Sequence, residues 1–393
     1  MNTETKKKWV KPNIRLPLGV IIAICTLPVV LTGLFYALRS SQNVMDWVVT
    51  RVSSHIRGFL GLLSSIYPFS VTEVLFAVAV VWLIYYIIKT IKVTVRRRGK
   101  LKILLKRMLP VFVVAFYVWG LFYWLWNSGY YAPGFADKNG FTGGGVSVHD
   151  LTAVTRSFAD KANELSPLVK RDEDGRYIED RREVFAASTE VYRVIASDFP
   201  GLNGRLYTPK PMLFSWLMSR TGYTGMYFAL TGEANINTMT PGAFLPATVA
   251  HEHAHQLGVF AEDEASFIGI VACVTSEYTV FEYAGYLSGL TYLLSALHDV
   301  DEEAWTEICF GLSDEVMRDW NDSSYFWASQ KKVETGIDFL DNLLTSITVG
   351  VSDAVDSVYD GFLKSQNQDL GIQSYGACVD LLVEYFKAQS AAR

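Results

Sequence analysis

Pro246-Ala247-Thr248-Val249-Ala250-His251-Glu252-His253-Ala254-His255-Gln256-Leu257-Gly258 gathers three of the chain's six histidines into five residues. Proline suits the first turn of a helix and glycine its end, so the stretch predicts one helix running from Pro246 to Gly258. Residues four apart on a helix share a face. His251 and His255 can therefore present two imidazole nitrogens to one divalent ion with Glu252 beside them, while His253 points elsewhere.

In motif form this is HExxH, whose chemistry is zinc-assisted hydrolysis: two histidines hold the ion, and the glutamate is the general base for a water. Catalytic zinc takes three protein ligands and keeps a fourth position open, so one more ligand is needed downstream. A third histidine six residues after the second, behind a glycine turn, is excluded because that position is Ala261. What remains is a carboxylate from the next helix. That helix should begin near Glu262, because Glu262-Asp263-Glu264 put negative charge where the helix dipole favours it, and Phe267, Ile268 and Val271 continue an apolar face. Glu262 and Glu264 are both within reach. Glu262 is favoured because Ser266, four residues on, can hydrogen-bond the first histidine, whereas Glu264 is followed at that spacing by Ile268. An oxyanion donor is also required, and Tyr283, Tyr286, His298 and Tyr375 are candidates that spacing does not separate.

Half of the 393 residues are hydrophobic, and they concentrate in the first third. Residues 16–38 contain no charge, enough for a helix to cross a hydrocarbon core. Residues 71–88, with Glu73 near their start, and residues 108–126, with Phe, Tyr and Trp at their end, are two further spans. The first is read as an uncleaved anchor because it is long and lacks a small-residue cleavage site. Five Lys and Arg precede it, three lie between Arg39 and Arg57, and nine lie between Lys89 and Arg107. The positive-inside rule then puts the N-terminus and the Arg96-Arg97-Arg98 loop in the cytoplasm and everything after Asn127 outside it.

That outer part carries 18 basic and 37 acidic residues, a net charge of −19. Such a balance repels polyanions and excludes a nucleic-acid partner. Cys273, Cys309 and Cys378 are an odd number outside the first span, so no disulfide framework is indicated; Cys273 and Cys378 lie in apolar runs and are read as core.

The expected organisation is a membrane domain over residues 1–128, a Gly-rich linker over 129–149 that includes Gly143-Gly144-Gly145, and a folded domain over 150–393. Residues 150–199 read as two amphipathic helices separated by the charged turn Arg171–Arg176 and ended by Pro200-Gly201. Residues 212–218 and 225–231 read as short strands of a small sheet, the second either a plain core strand or an edge along which an extended peptide pairs. Glu233, Asn235 and Asn237 read as turn residues in preference to cleft lining. The apolar run Tyr283–Leu297 is too short for a span and reads as a buried core helix. The fold class expected is thus a helical membrane part with three N-terminal spans plus a mainly helical, α+β, zincin-like extracytoplasmic domain.

Several of these stretches together resemble a bacterial family. Thr231-Gly232-Glu233-Ala234-Asn235-Ile236-Asn237, Leu245-Pro246 through Gly258, and Glu262-Asp263-Glu264-Ala265-Ser266-Phe267 are similar, in that order, to the domain-of-unknown-function family numbered 3810. Tyr283-Ala284-Gly285-Tyr286-Leu287, Phe362-Leu363-Lys364 and Ser374-Tyr375-Gly376 add to the likeness. The resemblance covers most of the chain and implies a multi-pass protein of the bacterial cell membrane that looks like a zinc peptidase. It also implies an Asn where this chain has Ser266, whose hydroxyl is shorter. A wider resemblance, to the gluzincins, implies a Glu third ligand at Glu262 with its partner at Ser266. The expected partners are the lipid bilayer and a peptide or protein substrate, and the expected cofactor is Zn²⁺. The rival expectations are a zinc-stabilised surface receptor or assembly factor without catalysis, and an amidase acting on cell-wall peptides.

Overall fold

The computed structural model describes residues 17–96, 99–332, 338–366 and 377–391. The basic residues before the first span, Arg97 and Arg98 lie outside them. Three described helices are long and apolar enough to cross a membrane: α1 (Leu18–Leu38), α4 (Val71–Val95) and α5 (Lys100–Leu125). The second continues past Ile88 and the third starts before Met108, because the flanking lysines are good helix formers whose long stems can lie along apolar surface. Between α1 and α4 the chain forms α2 (Gln42–Val48), a π-helical turn at Val49–Ser53, and α3 (Ser54–Ser65).

The stretch read as a linker is packed over its first half. Asn127–Tyr131 is a 3₁₀ turn, followed by α6 (Phe135–Asn139), and Tyr130 and Phe135 are buried. The backbone N–H groups of Phe135 and Ala136 donate to the Glu264 carboxylate at 2.9 and 2.8 Å, which ties the segment to the helix bearing the candidate ligands. Its glycines at 143–145 are exposed as expected of a connecting loop.

After it come α7 (Val148–Leu165) and α8 (Arg181–Ala187). The second expected amphipathic helix is therefore a single short helix followed by 3₁₀ turns at Ser188–Glu190 and Ile195–Ser197. Strand β1 is Lys210–Pro211, α9 is Ser215–Arg220, β2 is Gly225–Phe228 and β3 is Glu233–Ile236. The strand expected over residues 212–218 is thus mostly helix. The cause is Glu73, whose carboxylate accepts the N–H groups of Leu213 and Phe214 at 2.9 and 2.6 Å; donors taken in this way are lost to a sheet, and the negative charge suits a helix start. The sheet order is β1-β3-β2, with β1 parallel and β2 antiparallel to β3. Glu233 and Asn235, expected in a turn, are buried in the central strand.

Helices α10 (Leu245–Leu257) and α11 (Glu262–Val274) begin and α10 ends close to the expected positions; α12 (Thr279–Val300) extends beyond the run Tyr283–Leu297 at both ends and is buried along Phe281, Leu287, Leu290, Leu294 and Leu297. Helices α13 (Glu302–Phe310), α14 (Asp314–Gln330), α15 (Asp338–Ser365) and α16 (Ala377–Ala391) complete the described chain. One core joins α7, α10, α11, α12 and α16. A second apolar cluster joins Phe35 of α1, Met45 and Tyr123 to Tyr227 of β2, Phe260 and Leu363 of α15, so the folded domain and the ends of the spans share a core.

Polar contacts bind the two parts as well. Glu233 accepts hydrogen bonds from the N–H groups of Val71 and Thr72 and from Thr72 Oγ1, at 3.0, 2.8 and 2.7 Å, capping the N-terminus of α4. Ser70 Oγ reaches Asn235 Oδ1 at 2.6 Å, and the Phe76 and Phe228 rings lie 5.7 Å apart. The sheet therefore sits on the end of the second span.

Candidate metal centre

The candidate centre is built by two helices and the turn between them. Helix α10 ends at Gly258, whose φ of 98° is a left-handed conformation that favours glycine. The N–H groups of Gly258 and Val259 close the helix on His255 O and Ala254 O at 3.1 and 3.0 Å. This turn carries the Val259 carbonyl to 2.8 Å from His255 Nδ1. Nδ1–H donates there, which aims Nε2 at the cluster.

His251 Nε2 lies 3.2 Å and His255 Nε2 3.4 Å from Glu262 Oε2. One ligand atom from each of His251, His255 and Glu262 falls within 4.8 Å of the others. Ligand atoms about 2.1 Å from a tetrahedral zinc are about 3.4 Å from one another, close to the two separations between the histidines and Glu262, and two imidazoles with one carboxylate are a donor set of the kind zinc takes. Ser266 Oγ is 3.3 Å from His251 Nδ1, within direct reach of the imidazole. Glu264, the alternate ligand, is turned away and committed to Phe135 and Ala136.

Glu252 is buried, and its Oε2 has no hydrogen-bond partner among the described residues. Gly225 of β2 passes directly over it: a Cβ there would stand 2.5 Å from Glu252 Oε1. Burial raises the Glu252 pKa, a rise that His251 and His255 partly oppose. At Glu262 burial also disfavours the charge, but the two imidazoles outweigh it and hold the carboxyl well below its usual range. At His255 burial opposes protonation, yet the Glu262 carboxylate prevails and the pKa rises to about 9. His253 is buried away from the cluster, 3.2 Å from Tyr207 O through Nε2, and burial lowers its pKa to about 4.

Tyr283, Tyr286 and His298, considered for the oxyanion, meet other partners. Tyr283 Oη donates to Asp319 Oδ2 at 2.6 Å, in a pair that Arg171 completes. The Tyr286 ring packs on Phe158 at 5.0 Å, and His298 is exposed beside Asp299 and Trp305. The apolar face of α12 dictates this, since it turns Tyr283 into the domain core. Tyr375 lies outside the described residues. A tyrosine that does reach the cluster is Tyr359 of α15, whose Oη donates to Glu262 Oε1 at 2.6 Å. Its one signal in the sequence is proximity to Phe362-Leu363-Lys364, because a contact 97 residues away leaves no periodicity to read.

The centre lies against the ends of the spans. The Trp126 ring, just past α5, is 5.4 Å from that of His255, and Arg57 Nη1 of α3 donates to His255 O at 3.3 Å. Phe362, one turn from Tyr359, meets Phe122 of α5 at 6.1 Å.

No curated protein and no solved structure matches the chain. Residues 49–383 match a family described as "Protein of unknown function (DUF3810)", a match that takes in the two later spans, the sheet, the candidate metal ligands and α15. The chain belongs to the DUF3810 family.

Proposed function

We propose that the protein is a membrane-anchored zinc metallopeptidase of gluzincin type that hydrolyses peptide bonds of a peptide or protein on the extracytoplasmic side. The observation that carries this reading is the convergence of His251, His255 and Glu262 beside a buried glutamate, one of whose oxygens has no partner among the described residues. Zinc bound there would polarise the substrate carbonyl and acidify a water. Glu252 takes the proton from that water and returns it to the leaving amine, a role suited by a carboxyl whose affinity for protons burial has raised. Among the described residues strand β2 is an edge of the sheet, paired with β3, and Gly225 runs over Glu252. An extended peptide pairing with that edge would pass its backbone across the general base.

The test uses the full-length chain in detergent. Metal analysis should find about one zinc per chain in the wild type, Glu252→Gln and Glu264→Ala proteins, and loss of zinc in His255→Ala and Glu262→Ala. Against a peptide library, Glu252→Gln should cleave about 10²- to 10⁴-fold more slowly than the wild type. An unchanged cleavage rate in that variant would sink the catalytic assignment. Zinc without turnover of any peptide in the wild type would favour a receptor or assembly factor.

A further inference from the structure

We infer that the segment Leu213–Leu217, at the start of α9, is seated in the lipid bilayer interface beside the second span. This inference is independent of the peptidase reading. Leu213, Phe214, Trp216 and Leu217 are 81, 46, 50 and 49% exposed, a contiguous set of large apolar side chains of a kind that soluble surfaces rarely carry together. Their position is fixed by the span itself. The Glu73 carboxylate, in the first turn of α4, holds the N–H groups of Leu213 and Phe214, and Lys210 Nζ bonds to Tyr67 O.

The exposed apolar surface is continuous across this joint. Tyr67 and Phe69 precede α4 and are half exposed, and Val74, Leu75 and Phe76 open the exposed face of the span one turn on. An aromatic and aliphatic cluster at the mouth of a span matches the composition of the headgroup region, where indole and phenol rings are favoured. Charge agrees with this occupant. Residues 210–232 hold Lys210 and Arg220 and no acidic residue, within an outer part of net charge −19. A segment spared that negative charge is compatible with phosphate headgroups, from which the rest of the surface is repelled.

The experiment places nitroxide labels on Leu213→Cys and Leu217→Cys in the full-length chain, with Cys25 and Cys309 replaced by alanine. Each protein is reconstituted in vesicles of phosphatidylcholine and phosphatidylglycerol. Val81→Cys, on the exposed face of α4, is the lipid reference, and Glu173→Cys, in the exposed charged turn, is the water reference. The ratio of collisions with oxygen to collisions with a water-soluble nickel chelate should shift at 213 and 217 away from the Glu173 value toward the Val81 value. A ratio equal to that at Glu173→Cys overturns the inference. So does shielding from both reagents, which would mean that a protein surface or a second copy covers the segment. The labelled leucines are exposed, so the substitutions leave the core untouched, and thermal unfolding matching the wild type verifies this.

Discussion

His255 and Glu262 carry the most testable consequence at the scale of single residues. With its pKa raised to about 9 by the Glu262 carboxylate, His255 is an imidazolium at neutral pH in the metal-free protein. A metal needs the neutral ring, so at pH 7 zinc binding should release about one proton from this site, and affinity should climb with pH toward 9 and then level off. Calorimetry in buffers of different ionisation enthalpy measures the proton count. Glu262→Gln should lower both that count and the affinity, because the neutral amide no longer sustains the charge on His255. Tyr359 acts through Glu262. Removing its hydroxyl in Tyr359→Phe leaves the carboxylate less firmly oriented, and zinc affinity should fall about 10-fold or more. An unaltered dissociation constant in a competitive chelator titration would assign Tyr359 to packing alone.

Among elements, the crossing of β2 over α10 sets the shape of the site. Gly225 is the residue that lets the strand approach Glu252, since any Cβ would overlap the carboxylate. Gly225→Ala should displace strand or side chain, cost about 1–3 kcal/mol in stability, and reduce hydrolysis while zinc content stays at the wild-type level. Thermal unfolding read beside metal analysis separates these effects. The α10–α11 pair behaves differently: the Gly258 turn and the hydrogen bond from His255 Nδ1 to Val259 O define it locally. This is why its boundaries could be read from residue order alone, whereas the path of α9 could not.

Over the whole molecule, the folded domain and the spans are one unit. Glu233 is buried in β3 and caps α4 from a distance of 161 residues, with Asn235 and Thr231 bonded beside it to Ser70 and Thr72. Glu233→Ala would leave the N–H groups of Val71 and Thr72 without their acceptor. The full chain should lose about 3 kcal/mol or more, seen as a lower unfolding midpoint in detergent. A midpoint within error of the wild type would mean that the sheet is not anchored through this carboxylate. The candidate metal site is likewise held close to the spans, through Trp126 against His255 and Arg57 on the end of α10.

Residue order by itself determined the three apolar helices, the helix bearing His251 and His255, its glycine stop, the acidic start of α11 and the buried character of α12. Each is a local pattern, of hydropathy, of spacing four, or of a residue that caps or breaks a helix, and local patterns are set by neighbours in the chain. Tertiary structure alone decided which carboxylate turns toward the histidines, since Glu262 and Glu264 lie on one helix turn and differ in what they meet: the imidazoles in one case, the N–H groups of Phe135 and Ala136 in the other. It also decided that Tyr283 serves Asp319, that Tyr359 serves Glu262, and that Glu233 and Asn235 are buried strand residues. These outcomes depend on groups brought together from more than a hundred residues apart or from separately packed helices, and such encounters follow from how the faces of the elements fit, which no periodicity along the chain encodes.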